Sequence, residues 1–386
     1  MLRADVVVLG AGVVGLACAR ALAQTGREVY VLDREGGVGR GTSGRNSGVI
    51  HAGLYYPGDS WKARLCVDGA QALYRFCAEA GVPHERTGKW VLAAHPEELE
   101  ALHAVARAAT KNGADVTSVD GRDVTREDPA LRACAALWSP NSGVVDAAAL
   151  VDALAREARA AGAELALGQR AVRLERGSGG WTLTVTTGND GASDATEEIH
   201  ADTVVNAAGH GAPELARLAG LDLAAWDARP AYYRGDYMSL ATEAPRPRCP
   251  LVYPVPQTHG LGVHLTRDLG GRTRAGPDAY PIDAQDVRLN LLDDTAWAHK
   301  AQTFAAALGR YLPGITAEHL SPEYAGVRPK LLRSDGSSGD FLLLGPADLG
   351  APGIVHLLGI ESPGLTACLA IADWVATQLE TRTTRS

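Results

Sequence analysis

An apolar strand at 6–9 runs into Gly10, Gly12 and Gly15, and a second apolar strand closes on Asp33. This order commits the start of the chain to a strand, a tight turn, a helix and a parallel strand. Gly10 permits the turn, Gly12 removes a side chain that would block a pyrophosphate, and Gly15 lets helix and strand lie close together. Val13 and Val14 open the helix, whose N-terminus faces the phosphates. Asp33 stands where it can accept hydrogen bonds from ribose hydroxyls, with Arg34 beside it, and a bare carboxylate there repels a 2′-phosphate. NADP is therefore disfavoured, while NAD and FAD both remain open on these residues.

The chain has 386 residues, 46% of them hydrophobic, which suffices for a large core and favours two domains over one. A net charge of −8 argues against nucleic acid as a main partner. Cys18, Cys66, Cys77, Cys134, Cys249 and Cys368 form no CxxC and no cluster with histidine, so neither zinc nor a disulfide framework is expected. A reducing compartment, the cytoplasm, follows as the expectation. The first apolar run is broken by glycine after four residues, and no later run reaches spanning length without charges. No transmembrane segment is expected, and peripheral attachment to the inner membrane is compatible with this.

Helical periodicity marks 63–80, 96–112, 147–161 and 294–311. Strand-like runs occupy 89–93, 165–167, 172–175, 182–187, 203–207, 251–255, 262–266, 341–344 and 354–358, and the polar stretch 188–196 reads as a hairpin tip. Helices and strands alternate early and late, whereas strands cluster around 231–281. The expected class is α/β: a discontinuous Rossmann-type domain with a mostly β substrate-binding domain inserted. Residues 1–88, 144–225 and 328–386 are assigned to the first, and 89–143 and 226–327 to the second.

The loop after Asp33 is longer than an ordinary α/β connection and carries many donors: Thr42, Ser43, Arg45, Asn46, Ser47 and the amide of Gly48. It is suited to wrap a long cofactor whose pyrophosphate lies on the first helix. The strand 203–207 runs into Ala208 and Gly209, small enough for a close cofactor, and Val172 is added from the run 172–175. Near the C-terminus, Ser362 can cap a helix whose first residue is Pro363. Gly359 and Gly364 let that helix end approach a flat ring, with Leu365 next to it. Its dipole would stabilise negative charge on a reduced flavin. Glu361 opposes that idea unless it points away or caps the helix.

The segments TSGRNSGVIHAGLYY (42–56), SPNSGVVDAAAL (139–150), YYRGDY (232–237), LVYPVPQTHGLGVHLT (251–266), GVRPKL (326–331) and GIVHLLGIESPGLTACLAIA (353–372) resemble, in order, the L-2-hydroxyglutarate dehydrogenase/oxidase family. That family lies in the D-amino-acid-oxidase-like superfamily, with glycerol-3-phosphate dehydrogenase and sarcosine oxidase. The resemblance implies noncovalent FAD and oxidation of a C–H bond beside a hydroxyl or an amine.

Oxidation of a 2-hydroxy acid needs a hydride acceptor, a base for the hydroxyl proton and cations for the carboxylates. His51 and His264 are the candidate bases. Strand alternation places His264 on one face with Gly262 and Thr266, and Val263 and Leu265 on the other. Arg234, Arg328 and Lys330 are the candidate carboxylate clamp, with hydroxyls from Tyr55, Tyr56 and Tyr253. The expected reaction converts L-2-hydroxyglutarate to 2-oxoglutarate, with oxygen or a quinone as electron acceptor. Two alternatives stay open: oxidation of a D- or N-methyl amino acid at its C–N bond, and a non-catalytic FAD-binding redox sensor.

Overall fold

The computed structural model describes residues 2–187, 196–256, 262–283 and 294–380. Its first sheet is built on five parallel strands, in the order Ile354–Leu358, Thr196–Asn206, Leu2–Leu9, Val29–Asp33 and Glu164–Leu167. The central strand is buried on both faces, as parallel sheets require. Val6 and Val8 pack beneath the helices Val13–Ala23, Trp61–Ala80, Ala147–Ala160 and Gly364–Glu380. Val7 and Leu9 face the opposite core, with Leu183 and Val185 of the strand Gly180–Thr187. Asp146 starts the helix Ala147–Ala160 as expected, its Oδ1 accepting the amides of Ala148 and Ala149, both at 3.0 Å. The expected hairpin tip falls on 188–196, of which 188–195 lie outside the described residues.

A second, mostly antiparallel sheet gathers strands from two separated stretches of chain. In spatial order they are Tyr280–Ile282, Arg229–Leu240, Thr273–Ala275, Leu265–Arg267, Leu251–Pro254, Lys89–Ala93, Ala135–Ser139 and Thr117–Asp120. Leu320–Leu332 pairs along Arg229–Leu240 from end to end. It stays in this sheet as far as Leu332, past the crossing expected near Arg328. Pro322 and Pro329 within it, and Pro230 opposite, mask its strand character, because proline is rare inside a sheet. Phe304 and Leu308 of the helix Asp294–Gly309 cover one face over Trp90, Met238, Val252 and Leu265.

A three-stranded sheet of Val49–Ile50, Gly143–Val145 and His84–Glu85 lies where the chain passes between the two layers. The two large sheets therefore meet along the loop that follows Asp33. Gly326 marks the contact: a Cβ there would stand 2.4 Å from the Arg45 carbonyl oxygen. The Tyr324 hydroxyl donates to the Asn46 carbonyl at 2.7 Å, and the Ser47 and Tyr237 hydroxyls are 2.8 Å apart.

Candidate active site

A cavity of about 1230 Å³ runs from the glycine turn to the start of the last helix. At its first end the glycines do what the spacing requires. Gly10 has φ +113°, and a Cβ on it would lie 2.5 Å from the Ala207 carbonyl oxygen. A Cβ on Gly15 would lie 1.9 Å from the Gly10 carbonyl oxygen, so Gly15 sits behind the wall and holds the helix against the turn. Gly10, Gly12, Val13, Val14, Asp33 and Arg34 line the cavity, as do Thr42, Ser43, Arg45, Asn46, Ser47, Ala208 and Gly209. Asp33 is already engaged: its carboxylate accepts the Ala11 amide at 2.6 Å and the Glu35 amide at 2.8 Å. Burial raises its pKa against those two hydrogen bonds. The Ser43 hydroxyl accepts the Val13 amide at 2.9 Å, at the helix end where phosphates are expected.

Besides Gly15, three expected cofactor contacts are placed elsewhere. Val172 is 38% exposed, beside an irregularity in its strand pairing, and lies outside the cavity wall. Gly48, at φ +64°, is held against Val145, where a Cβ would meet the carbonyl oxygen at 2.7 Å. Gly359, at φ +68°, is held against Leu331. These two glycines shape turns behind the wall.

At the other end the last helix begins at Gly364, one residue later than expected, so Pro363 precedes its first turn. The Ser362 hydroxyl faces His51, 3.2 Å from Nε2, which departs from the expected capping role. Glu361 is buried but not alone. Lys62 Nζ donates to it at 2.9 Å, and Lys330 Nζ lies 3.5 Å away. Burial opposes its charge, yet the two ammonium groups outweigh burial and hold its pKa below the usual carboxylate range. The carboxylate beside the helix end is thus neutralised in place. Lys62 carried no motif in the sequence; its signal is only its position in the first turn of a helix after an apolar loop.

The cavity also collects His51, Tyr55, Tyr56, Tyr253, His264, Arg328 and Lys330. His264 is buried, its ring stacked on Tyr253 with centroids 3.9 Å apart. Its Nδ1 lies 3.0 Å from the Gly262 carbonyl oxygen. A carbonyl only accepts, so Nδ1 carries the proton and Nε2 of the neutral ring is the acceptor. Burial lowers its pKa to about 3, with Arg328 and Lys89 adding to the effect against the Gly262 hydrogen bond. The strand begins only at Leu265, so the expected alternation fails: Gly262, Val263 and His264 all line the cavity, and Thr266 does not. His51 shows a different pattern, with its Nε2 toward Ser362 and its buried Nδ1 without a partner among the described residues.

Arg234 is placed outside the cavity. Its guanidinium is held by Asp236 at 2.8–2.9 Å, within a cluster that also holds Lys300, Tyr280 and Asp278. The residue alternation of a strand explains this, since Tyr233 and Gly235 line the cavity and Arg234 points the other way. Arg328 faces the cavity, one guanidinium nitrogen donating to the Asp278 carbonyl at 3.3 Å. His210 is a further wall residue that the sequence reading passed over. It lies 2.9 Å from the Val327 carbonyl and 3.2 Å from the Thr42 hydroxyl, tying the long loop to the second sheet.

The family model for FAD dependent oxidoreductases matches residues 5–378. An L-2-hydroxyglutarate dehydrogenase of Arabidopsis thaliana is 37% identical, over 97% of this chain and 83% of the relative. This chain belongs to that family. The human L-2-hydroxyglutarate dehydrogenase is 30% identical, over 98% of this chain and 89% of the relative. Both relatives are named mitochondrial, so the expected cytoplasmic placement gains no support from them. Among solved structures, an FAD-bound L-α-glycerophosphate oxidase of Mycoplasma pneumoniae superposes with a TM-score of 0.84 at 23% identity, covering 98% of this chain and 95% of that one. A glycine oxidase of Geobacillus kaustophilus gives 0.78 at 22%, covering 100% and 96%. The fold is that of the FAD-dependent oxidases, and FAD is the cofactor of the family. The residues present fit it: a tight turn at Gly10 with no room for a Cβ against Ala207, a helix N-terminus beside it, and one continuous cavity from there to Glu361. The six cysteines are all free, and no described helix is long and apolar enough to cross a membrane.

Proposed function

We propose that this chain oxidises the α-carbon of a small 2-hydroxy acid, L-2-hydroxyglutarate, to the 2-oxo acid. One observation carries the reading: a neutral imidazole whose acceptor nitrogen has no partner among the described residues shares a cavity with an excess of fixed cations at its Glu361 end. At that end, among the described residues, Arg328, Lys62 and Lys330 stand against Glu361, three positive charges to one negative, which suits a dianion. Asp278 does not alter this balance, because Lys300 pairs with it at 2.7 Å. The names of the relatives point to the same substrate.

Bound FAD supplies a two-electron acceptor for the substrate's hydride. Gly10, Gly12, Ser43 and Asp33 would hold its adenosine and pyrophosphate end. His264 Nε2 takes the hydroxyl proton as the α-hydrogen leaves and the carbonyl forms. Arg328 grips one carboxylate, and Lys330, held by Glu361, stands near the other. Tyr253 fixes the plane of the His264 ring by stacking. His51, turned toward Ser362, orders the start of the last helix. The parallel-sheet segments hold the cofactor and the second sheet holds the substrate, with the chain returning to the first sheet between Leu332 and Leu342.

A panel assay tests this reading: turnover of the FAD-loaded enzyme with a dye acceptor on L- and D-2-hydroxyglutarate, lactate, glycerol 3-phosphate, and D- and N-methyl amino acids. The reading expects L-2-hydroxyglutarate to give the highest kcat/KM. Preference for an amino acid overturns it in favour of C–N oxidation, and no turnover on any member favours a redox sensor. Repeating the assay with oxygen and with a soluble quinone assigns the electron acceptor.

A further inference from the structure

Lys89 opens the strand Lys89–Ala93, fully buried, and its ammonium has no hydrogen-bond or ion-pair partner among the described residues. Its Nζ lies 4.8 Å from the centroid of the Tyr55 ring and 4.7 Å from that of Tyr253. Both rings line the active-site cavity, and Tyr253 is the ring on which His264 stacks. The ammonium is therefore one aromatic layer behind the proposed base. Burying an unpaired cation in a sheet is costly, and an apolar side chain there would be cheaper.

The groups around it leave that charge uncompensated. Cys66, from the helix Trp61–Ala80, and Cys249, just before the strand Leu251–Pro254, face Lys89, and burial raises these thiols to about 12 and about 11. Burial likewise raises the phenols of Tyr55 and Tyr253. All four are neutral near pH 7. His264 is faced by Arg328, Lys89 and Tyr253, and His51 by Lys89 and His264. Lys89 is thus the cation shared by both histidines. Desolvation brings its own pKa down to about 7, so it is charged throughout the acidic range in which an imidazole would take up a proton.

We infer that Lys89 is a positioning residue for the reaction: its ammonium, packed against the Tyr55 and Tyr253 rings, adds to burial and to Arg328 in holding the stacked His264 imidazole as an acceptor for the substrate's proton. The inference rests on His264 as the base in the function proposed above.

The test follows the ring titration of His264 by ¹⁵N NMR in the FAD-loaded enzyme, beside the pH profile of kcat/KM. Lys89→Met and Lys89→Gln remove the charge, and Lys89→Arg keeps it. Two neutral variants of different shape ensure that a packing loss in one does not decide the outcome. Both should raise the His264 midpoint by a few tenths of a pH unit, to about one at most, and move the acid limb of kcat/KM upward with it. Lys89→Arg should leave both near the native positions. An unmoved midpoint in the neutral variants, or an equal shift in Lys89→Arg, overturns the inference. A midpoint that moves while the acid limb stays also overturns it, and places the error in the assignment of His264 as the base.

Discussion

His51 and His264 are equivalent in the sequence as candidate bases, and only hydrogen bonding separates them. Nδ1 of His264 is committed to a carbonyl, whereas Nδ1 of His51 has no partner among the described residues and its Nε2 faces a hydroxyl. His264→Gln should lower kcat by about 100-fold or more with FAD content unchanged, as read by stopped-flow reduction and the flavin spectrum. Arg234 and Arg328 were equally plausible clamps, because both lie in family-like segments and side-chain direction in long strands is set by register. The structure gives them separate fates. Arg328→Lys should raise KM about tenfold or more, since a bidentate grip becomes a point contact. Arg234→Met should instead leave KM within about twofold and cost about 1.5–3 kcal/mol of stability, because it removes one charged hydrogen-bond partner of the buried Asp236 and leaves Lys300 and Tyr280 to hold it. Urea unfolding beside steady-state kinetics distinguishes the two. Three of the lysines, at 62, 89 and 330, gather at this site, which no spacing in the sequence revealed.

Elements were legible where their signal is local. The glycine turn, the first helix and Asp33 follow from a few adjacent residues, and the structure reproduces them. The strand Leu320–Leu332 was hidden, because its prolines read as breaks and its partner lies some ninety residues earlier in the chain. The contact between the helices Trp61–Ala80 and Gly364–Glu380 was equally invisible. It depends on Gly69, where a Cβ would lie 2.6 Å from the Thr366 carbonyl oxygen and 2.7 Å from the Ala367 Cα. Gly69→Val must push these backbones apart, and overpacking of this kind costs about 1–3 kcal/mol. Because Thr366 also accepts the His51 amide at 3.0 Å, the same variant should lower FAD affinity as well as Tm. Calorimetry with and without added FAD measures both; an unchanged Tm would contradict the packing argument.

At the scale of the molecule, several buried groups couple stability to pH. Burial lowers the pKa of His264 to about 3, of His356 to about 4, and of His51 and His210 in the same direction. The unfolded chain takes up these protons near pH 6.5, before the folded one does, so stability is full above that pH and falls toward the folded values. Asp236 and Glu361 reinforce the trend at lower pH. Burial opposes their charge, but Lys300, Arg234 and Tyr280 around the first, and Lys62 and Lys330 around the second, bring both pKa values down. Their contribution is present above pH 4 and is lost as pH drops through the folded values. Tm should therefore decline steadily from pH 7 to pH 4, and a flat profile would contradict the buried-histidine account. The two-sheet architecture was legible because parallel and antiparallel segments differ in pattern; their exact join was not, since the prolines of Leu320–Leu332 hide how far that strand runs in the second sheet.

The central claim joins FAD, His264 and the cationic wall in one reaction, and anaerobic single-turnover mixing tests it most directly. The FAD-loaded enzyme should lose its oxidised flavin absorbance on mixing with one equivalent of L-2-hydroxyglutarate, forming one equivalent of 2-oxoglutarate. Full retention of that absorbance with this substrate, together with bleaching by a D- or N-methyl amino acid, would contradict the account.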